Sequence, residues 1–313
     1  MRNTYKIESS SDKYIEYNSI YIVMKLARIH PHPFDERISF EEDSHTYTID
    51  EDSSFTSVTT FLHHQFPAFH PEQAAAQLLA EKRENGRLNH NKYRLTAIEN
   101  IRTSLGDETT ERAVARLNDP NSSEFHAEKS AIIEQWSQTS KSGTKIHADI
   151  EYFYNDEPRP NDSLEYQYFM HFKEDFEREY PNYRPYRTEW TVFYKELKLA
   201  GSIDMVYENT EDGTLMIYDW KRVKEIKYEA YRDECGLGVC SDLPHTNFWH
   251  YSLQLNTYKA ILESQYGKKV TKCVLVRLYP DAPDYETHEC HDLHDKVRQL
   301  FENRAAELAR TTP

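Results

Sequence analysis

The sequence predicts an α/β (α+β) fold, in which a mixed β-sheet with an antiparallel meander is flanked by helices and preceded by a mainly helical N-terminal region. Three observations support this prediction. Alternating β-rich runs lie on both sides of a polar break at Glu208 to Gly213, and helix-forming stretches precede and follow these runs. From about residue 163 onward, the elements follow the order α-β-β-β-α-β-α.

The composition limits the possible classes of protein. The 313 residues include 38 Lys+Arg and 53 Asp+Glu, a net charge of −15, so any nucleic acid must bind in a local groove whose carboxylates are offset by metal ions. Four cysteines are too few for a disulfide framework, and the first residues lack the apolar core of a signal peptide. No apolar run approaches the roughly 18 residues of a membrane span. We expect an intracellular protein of a reducing compartment, cytoplasm or nucleus, without membrane contact.

Changes of pattern along the chain divide it into three predicted regions. Residues 1–36 form a charged, Ser-rich arm, residues 37–135 a mainly helical accessory region, and residues 136–313 the core. The accessory region opens with short strands between Ile38 and Thr60. Helices are predicted after these strands, where helix formers lie between Gly, Asp and Pro breakers: Pro71 to Arg83, Thr96 to Leu105, Glu108 to Leu117 and Ser123 to Trp136.

The stretch from Ser142 to Phe153 predicts a helix with a polar face. Ile146, Ile150 and Phe153 form an apolar stripe, which places His147 and Glu151 one turn apart on an adjoining face. A lone histidine on a helix is most often structural or exposed. The neighbouring glutamate and the acidic strands downstream favour a role for His147 as a ligand.

Three β-rich runs predict the meander. The first, Tyr186 to Tyr194, contains Glu189 and follows a predicted helix at Ser163 to Glu179; the other two contain Asp204 and Asp219. Paired residues of a hairpin have a constant sum of numbers, so Asp219 lies within about one pair of Asp204. Lys221 then projects on the same face as Asp219, whereas Trp220 points to the opposite face.

An Asp, Asp, Lys cluster of this kind suits hydrolysis of a phosphodiester. Carboxylates hold hard divalent cations, and an ammonium group orients the attacking water, helps to deprotonate it or offsets transition-state charge. The Asp-x-Lys triplet alone is weak, because an acidic chain of this length contains about one by chance. The surrounding motifs add specificity, including a helix at His250 to Gln265, a strand at Val270 to Tyr279 and a last helix at Leu293 to Ala309.

The ordered motifs resemble those of the PD-(D/E)XK nuclease superfamily, in its RecB and lambda-exonuclease branch. They are Gly-Thr-x-x-His147-x-x-x-Glu, then Glu189, then Ala-Gly-Ser-Ile-Asp204, then Asp219-Trp-Lys-Arg and then Gln254-Leu-Asn-Thr-Tyr258. The match covers about Trp136 to Tyr279. Two upstream pieces, Ser57-Val-Thr-Thr and Phe66-Pro-Ala-Phe, are similar to nuclease-like proteins of large eukaryotic DNA viruses. The resemblance implies a restriction-endonuclease-like core with the order αβββαβ.

The resemblance also implies roles for individual residues. His147, Asp204 and Asp219 would bind one or two Mg²⁺ or Mn²⁺ ions, with the Trp220 carbonyl as a further ligand. Lys221 would stand beside the attacking water. Glu189 would bind a second metal ion or position the site. Gln254 and Tyr258 would bind the substrate strand or brace the cluster, and Glu151 would bind the substrate. Two departures are Ile203 in place of the superfamily's Pro, and Asp219 where many members have Glu.

The cysteines bear on two other cofactors. Relatives with an iron-sulfur cluster have one Cys before the core and three after it, whereas all four cysteines here lie from Cys235 onward, so we expect no such cluster. Cys235, Cys240, His245 and His250 are zinc-type residues. Their spacing is shorter than that of a usual finger loop, which favours buried structural cysteines over a zinc site.

The expected function is that of a Mg²⁺- or Mn²⁺-dependent nuclease that hydrolyses DNA, as an exonuclease acting on ends or single strands. Tyr93, Tyr152 and Tyr154 are candidates for stacking on unpaired bases. Two alternatives remain open from the sequence: an endonuclease on DNA or RNA, of the cap-snatching kind, and a catalytically inactive nucleic-acid-binding protein with the same fold.

Overall fold

The structure, a computed structural model, describes residues 25–42, 44–84, 87–89, 91–106, 109–230 and 233–311, so most of the predicted arm lies outside the described residues. The helices in this part of the chain are α1 (Lys25–Ile29), α2 (Val58–His63), α3 (Pro71–Leu79), α4 (Lys92–Ser104), α5 (Thr110–Asn118), α6 (Ser123–Tyr154), α7 (Leu164–Glu179), α8 (Asn247–Gln265) and α9 (His294–Thr311). The strands are β1 (Ile38–Glu41), β2 (Thr46–Ile49), β3 (Thr56–Ser57), β4 (Lys82–Glu84), β5 (Arg87–Asn89), β6 (Tyr183–Tyr194), β7 (Leu199–Asn209), β8 (Leu215–Lys221), β9 (Val270–Arg277) and β10 (Glu286–Glu289).

The chain divides into two compact units. The first contains residues up to Pro67 and residues from Lys145 onward, and the second contains Ala68–Thr144. This division differs from the predicted boundaries at 36 and 135. Residues 37–67, expected in the accessory region, belong to the unit that contains the meander.

The first unit is built on a mixed six-stranded sheet. Strands β6, β7 and β8 are consecutive antiparallel neighbours, which is the expected meander. β9 runs parallel to β8, β10 is antiparallel to β9, and the short β3 pairs in parallel with the start of β7. The element order from α7 to α9 therefore contains the predicted succession, with β10 added.

Helices cover both faces of this sheet, so its inner strands bury residues on both sides. Met205, Tyr218 and Trp220 pack on one face against aromatic residues of α7 and apolar residues of α6. Leu199, Ile217 and Leu275 are among the residues that pack on the other face against α2, α8 and α9. Trp220 thus points away from Asp219 into a helix-covered layer, as its place in the strand predicts.

The second unit has its own small helical core. Ala75 and Leu79 of α3 pack with apolar residues of α4, α5 and α6. Arg94 is fully buried there. Its guanidinium donates hydrogen bonds to the Leu79 carbonyl and to Asn118 Oδ1, which offset the free-energy cost of burying the charge.

Several helix ends differ from the predictions. Helix α3 stops at Leu79, where Ala80 is extended, and the β4–β5 hairpin replaces its predicted last turn. Helix α6 continues through Gly143 to Tyr154, so that two predicted helices form one element of 32 residues. No helix in the described part of the chain combines the length and the apolar character that a membrane span needs.

Candidate active site

Three acidic residues lie in a row across the meander. The β7–β8 ladder pairs Met205 with Tyr218, so Asp204 and Asp219 face each other one position beyond it. Glu189 stands opposite Asp204 on the other side, because the neighbouring pairs of β6 and β7 have the same residue sum. The constant residue sum of a hairpin predicted that Asp204 lies opposite Asp219. Glu189 precedes Asp204 by 15 residues, as Asp204 precedes Asp219, and it lies opposite Asp204 on the other side.

The backbone at Glu189 is strained. Its φ is +42°, in the left-handed region that costs a residue with a Cβ about 1–3 kcal/mol. Oε2 of the side chain accepts a hydrogen bond of 2.9 Å from Ser202 Oγ on β7. The pairing of β6 with β7 and the hydrogen bond from Ser202 therefore hold this carboxylate in a conformation that glutamate rarely adopts.

His147 reaches the same point from α6. Its Nδ1 lies 3.4 Å from Asp204 Oδ2 and 3.9 Å from Glu189 Oε1. Its Nε2 lies 2.8 Å from the Trp220 carbonyl oxygen, which can only accept, so the proton sits on Nε2. The Trp220 amide in turn donates a hydrogen bond of 2.9 Å to Asp204 Oδ2. The backbone of Trp220 thus orients both the His147 ring and the Asp204 carboxylate.

These residues form a compact donor set. One ligand atom each of His147, Glu189 and Asp204 lies within 4.8 Å of the others, and no other such group occurs among the described residues. An imidazole nitrogen and two carboxylate oxygens are ligands that divalent cations accept. The resemblance also implies Asp219 and the Trp220 carbonyl as ligands. Here Asp219 pairs with Lys221, and the Trp220 carbonyl accepts the proton of His147.

The electrostatics of the row reflect mutually repelling carboxylates, of which Asp219 is buried and Glu189 and Asp204 are half-buried. Burial raises the pKa of Glu189 well above its ordinary value, and Asp204 and Glu151 raise it further. Burial and then Asp204 raise the pKa of Asp219 to about 6, although Lys221 opposes this rise. The two groups favour the neutral form more than free carboxyls do, which is the situation that a bound cation relieves.

Lys221 is held as a buried ammonium group. Its Nζ lies 2.5 Å from Asp219 Oδ2 and 4.4 Å from the centre of the Tyr251 ring. Burial by itself lowers the pKa of Lys221, but Asp219 and Asp204 outweigh burial and raise the pKa above its ordinary value. Sequence reasoning missed Tyr251, although its position three residues before Gln254 puts both on one helix face.

Gln254 and Tyr258 brace the site from α8. Gln254 Nε2 donates to the hydroxyls of Tyr258, at 3.4 Å, and of Thr59, at 3.3 Å. Tyr258 is buried against β7, where a Cβ at Gly201 would lie 2.7 Å from its ring. Gly201 is therefore the residue that lets Tyr258 lie on the strand of Asp204. Substrate binding by Gln254 and Tyr258 stays a prediction.

Other predicted contacts are placed as follows. Glu151 is half-buried, and burial together with Glu42 raises its pKa to about 7. Tyr154 is buried with its hydroxyl 2.5 Å from that of Tyr207, so the expectation that it stacks on bases is wrong. Tyr152 is half-buried and stacks with Arg159, whose guanidinium carbon is 3.4 Å from the ring centre. Tyr93 is half-buried in the second unit.

The zinc-type residues do not converge in the described structure. Cys240 is buried and its pKa is raised to about 11 by burial, whereas Cys235 is half-buried and contacts the Asp233 carbonyl. His245 and His250 stack on each other with ring centres 5.0 Å apart. Burial lowers the pKa of His250 to about 4, as expected for an aromatic packing residue. No three of the four offer ligand atoms in one cluster.

Comparisons with known proteins add little to this geometry. No family model matches the chain, and no curated protein matches it. Several solved structures are similar to the chain, among them that of the protein SSO0001, at 13% identity over 96% of this chain and 90% of its own, with a TM-score of 0.28. A likeness of this strength carries no argument about fold or function.

Proposed function

We propose that the protein is a Mg²⁺- or Mn²⁺-dependent deoxyribonuclease with a restriction-endonuclease-like core of the PD-(D/E)XK superfamily. The observation that carries the proposal is the row Glu189, Asp204, Asp219, with His147 beside it and Lys221 paired at its end. The motif resemblance and this geometry share His147 and Asp204 as candidate ligands, while the geometry adds Glu189 and pairs Asp219 with Lys221. Both also place the row on the antiparallel meander of a mixed sheet.

The residues present fit a divalent cation. His147 Nδ1 lies 3.4 Å from a carboxylate oxygen of Asp204 and 3.9 Å from one of Glu189, separations that the ligands of one divalent cation have. Asp219 Oδ2 is buried beside this group and faces the Lys221 ammonium at 2.5 Å. A bound metal ion supplies Lewis acidity and a water of lowered pKa.

Backbone and side-chain groups of the protein itself position the candidate metal ligands. The Trp220 amide and carbonyl fix Asp204 and His147, and Ser202 fixes Glu189. Pre-oriented ligands avoid reorganisation during the reaction. In the metal-free protein Lys221 is an ammonium group with a raised pKa. It therefore donates hydrogen bonds to the attacking water or to a phosphoryl oxygen, and offsets negative charge there, rather than accepting a proton.

A nuclease assay tests the proposal directly. End-labelled single- and double-stranded DNA and RNA are incubated with the full chain in Mg²⁺, Mn²⁺, Ca²⁺ or excess chelator. We expect DNA cleavage with Mg²⁺ or Mn²⁺, binding with little turnover in Ca²⁺, and none in chelator. Undiminished cleavage in chelator, or no cleavage of any substrate with either ion, would overturn the proposal. Cleavage of RNA alone would favour the cap-snatching alternative.

Single substitutions locate the activity. Asp204→Ala should abolish most of it without loss of fold, because the side chain ends in a polar site rather than the core. The exposed Asp295→Ala on α9 is the matched control and should retain full activity. A fall in melting temperature for Asp204→Ala, with activity lost only in proportion to unfolding, would indicate a structural role instead.

A further inference from the structure

The segment that follows β8 is basic in an otherwise acidic chain. Between residues 222 and 229, three of the eight residues are Lys or Arg and two, Glu225 and Glu229, are acidic, which gives a net positive charge. Lys221 belongs to the candidate site, and Arg222 pairs with Glu165 at 2.7 Å. Lys224 and Lys227 are exposed. The segment therefore presents two outward cations immediately beyond the end of the acidic row.

The neighbouring strand holds the first part of this segment. Arg277, at the end of β9, is buried and donates hydrogen bonds to the carbonyls of Val223, at 3.0 Å, and of Lys224. The register places Arg277 beside Lys221. The backbone that bears the Lys224 side chain is thus fixed to the sheet.

Helix α8 holds the second part. Asn247 Oδ1 accepts from the Lys227 amide at 2.8 Å, and its Nδ2 donates to the Glu225 carbonyl at 2.8 Å. Trp249 Nε1 donates to the Tyr228 carbonyl at 3.1 Å. These bonds fix the backbone, while the side chains of Lys227 and Tyr228 remain exposed, and a fixed backbone lowers the entropy cost of binding a partner.

The two lysines are not used in strong ion pairs. Lys224 has no carboxylate at ion-pair distance among the described residues. Lys227 Nζ lies 4.0 Å from Glu225, with both side chains about two-thirds exposed, and such pairs contribute little. Both ammonium groups are available to an external anion.

The aromatic residue Tyr228 directly follows Lys227 in the chain. Tyr228 is 44% exposed, its ring centre is 4.1 Å from that of Phe248, and its hydroxyl lies 2.8 Å from His288 Nδ1. The ring is held by packing and at its hydroxyl, yet remains accessible. Exposed cations next to an accessible aromatic ring are the combination that binds single-stranded nucleic acid.

We propose that the β8–α8 surface, defined by Lys224, Lys227 and Tyr228, binds single-stranded DNA next to the bond that is cleaved. The lysines contact backbone phosphates and Tyr228 stacks on a base. Lys224 is three residues from Lys221, at most about 10 Å along the chain, so one strand reaches both. The inference rests on the proposed function, because it takes the row beside Lys221 as the reactive site.

Binding rather than cleavage provides the test. The affinity of the full chain for a fluorescently labelled thymidine oligonucleotide is measured by anisotropy in Ca²⁺, over a series of salt concentrations. Lys224→Glu is compared with Lys269→Glu, which changes the net charge equally. Lys269 is exposed and precedes β9 at Val270, the end of the sheet opposite to Lys221 and Arg277.

Lys224→Glu should weaken binding at least fivefold and reduce the salt slope by about 0.7, the value for one phosphate contact on a single strand. Lys269→Glu should weaken binding less than twofold. Tyr228→Leu should also weaken binding, whereas Tyr228→Phe should not, because stacking needs the ring and not the hydroxyl.

The outcomes separate this inference from the proposed function. Equal losses in Lys224→Glu and Lys269→Glu, or binding by the wild type to duplex but not to the oligonucleotide, would overturn the β8–α8 surface. Metal-dependent cleavage by the wild type would survive that result. The expected differential loss combined with no cleavage under any condition would support the surface and overturn the nuclease.

Discussion

The carbonyl oxygen of Trp220 accepts a hydrogen bond of 2.8 Å from His147 Nε2, and this contact decides what the other nitrogen of the ring can do. With Nε2 as the donor to this carbonyl, Nδ1 is the ring nitrogen that faces Asp204 and Glu189. A backbone carbonyl that orients a histidine in this way is a common feature around metal ligands. Trp220 therefore acts on the site through its peptide group, while its ring packs on the other face.

The first prediction follows from this orientation of His147. His147→Ala should raise the Mn²⁺ concentration required for half-maximal cleavage at least about tenfold, because one ligand is lost. Direct calorimetric titration of the DNA-free protein with Mn²⁺ should show the same loss. His171→Ala, an exposed histidine on α7, is the control. Equal Mn²⁺ affinity in His147→Ala and wild type would rule out the ligand role.

The second prediction separates Lys221 from the donor set. Lys221→Met should lower kcat at least about 100-fold while changing Mn²⁺ affinity less than threefold, because its ammonium group faces Asp219 and Tyr251 rather than the three ligand atoms. Lys269→Met should leave both quantities unchanged. A Lys221→Met enzyme whose kcat recovers at high Mn²⁺ would instead indicate that Lys221 acts through metal binding.

The third prediction concerns the cost of the acidic row to the metal-free protein. Glu189→Gln should raise the melting temperature at pH 7 to 8, by about 2–4 °C for each kcal/mol of repulsion and desolvation removed. The pKa of Glu189 is raised in the folded state, so its destabilising effect grows as pH rises above the ordinary 4.5. The advantage of Glu189→Gln should therefore disappear below pH 4.5.

Glutamine keeps the side-chain length and the positive φ, so the comparison isolates the charge. Asp219→Asn should gain less than Glu189→Gln at neutral pH, because it also removes the partner of Lys221. Saturating Mn²⁺ should reverse the order of wild type and Glu189→Gln. A melting temperature of Glu189→Gln equal to or below that of wild type at pH 8 without metal would contradict the prediction.

The sequence anticipated much of the site because strand geometry is local. A constant hairpin sum was sufficient to bring Asp204 opposite Asp219, and alternation was sufficient to separate Lys221 from Trp220. The positive φ of Glu189 has no local cause in the sequence, since glutamate rarely adopts it. The pairing of β6 with β7 holds Glu189 in this conformation, and only the assembled sheet reveals it.

The long-range pairing of strands was not predicted either, because it too depends on the assembled sheet. The pairing of Thr56 and Ser57 with the start of β7 joins segments more than 140 residues apart, and it places residues 37–67 in the unit of the meander. The continuity of α6 through residues 137–141, between the two predicted helices, was not predicted. Thr139 and Ser142 instead donate hydrogen bonds to carbonyls one turn earlier within the helix.

The fourth prediction tests the close approach of Gly201 and Tyr258. Gly201→Ala should destabilise the protein by about 1–3 kcal/mol, because the new methyl group meets the Tyr258 ring at 2.7 Å. Gly143→Ala should stabilise it by about 0.5–1 kcal/mol, since no atom lies within 4 Å of that Cβ outside the helix's own backbone. Urea denaturation measures both values.

A double-mutant cycle assigns the cause. In a Tyr258→Leu background, Gly201→Ala should cost less than it does in the wild type, because the ring atoms that the methyl group meets are gone. An equal cost in both backgrounds would place the damage elsewhere in β7.

The fifth prediction is that linear DNA is cut at least tenfold faster than covalently closed circular DNA, and faster still when its ends are single-stranded. Members of the branch that the motifs resemble often degrade DNA from its ends. The chain has a net charge of −15, so retention of a strand depends on a few local cations. With Lys224 and Lys227 as two phosphate contacts, cleavage at limiting DNA should fall about sevenfold between 50 and 200 mM salt.

The deciding comparison uses one sequence in two forms, closed circular single-stranded DNA and the same molecule after linearisation. Both offer unpaired bases and identical charge, so stacking and phosphate contacts are the same and only the free end differs. An open endonuclease groove would treat the two forms alike. Comparable rates would overturn the exonuclease assignment and leave the metal dependence and the roles of Asp204 and Lys221 to be judged by their own experiments.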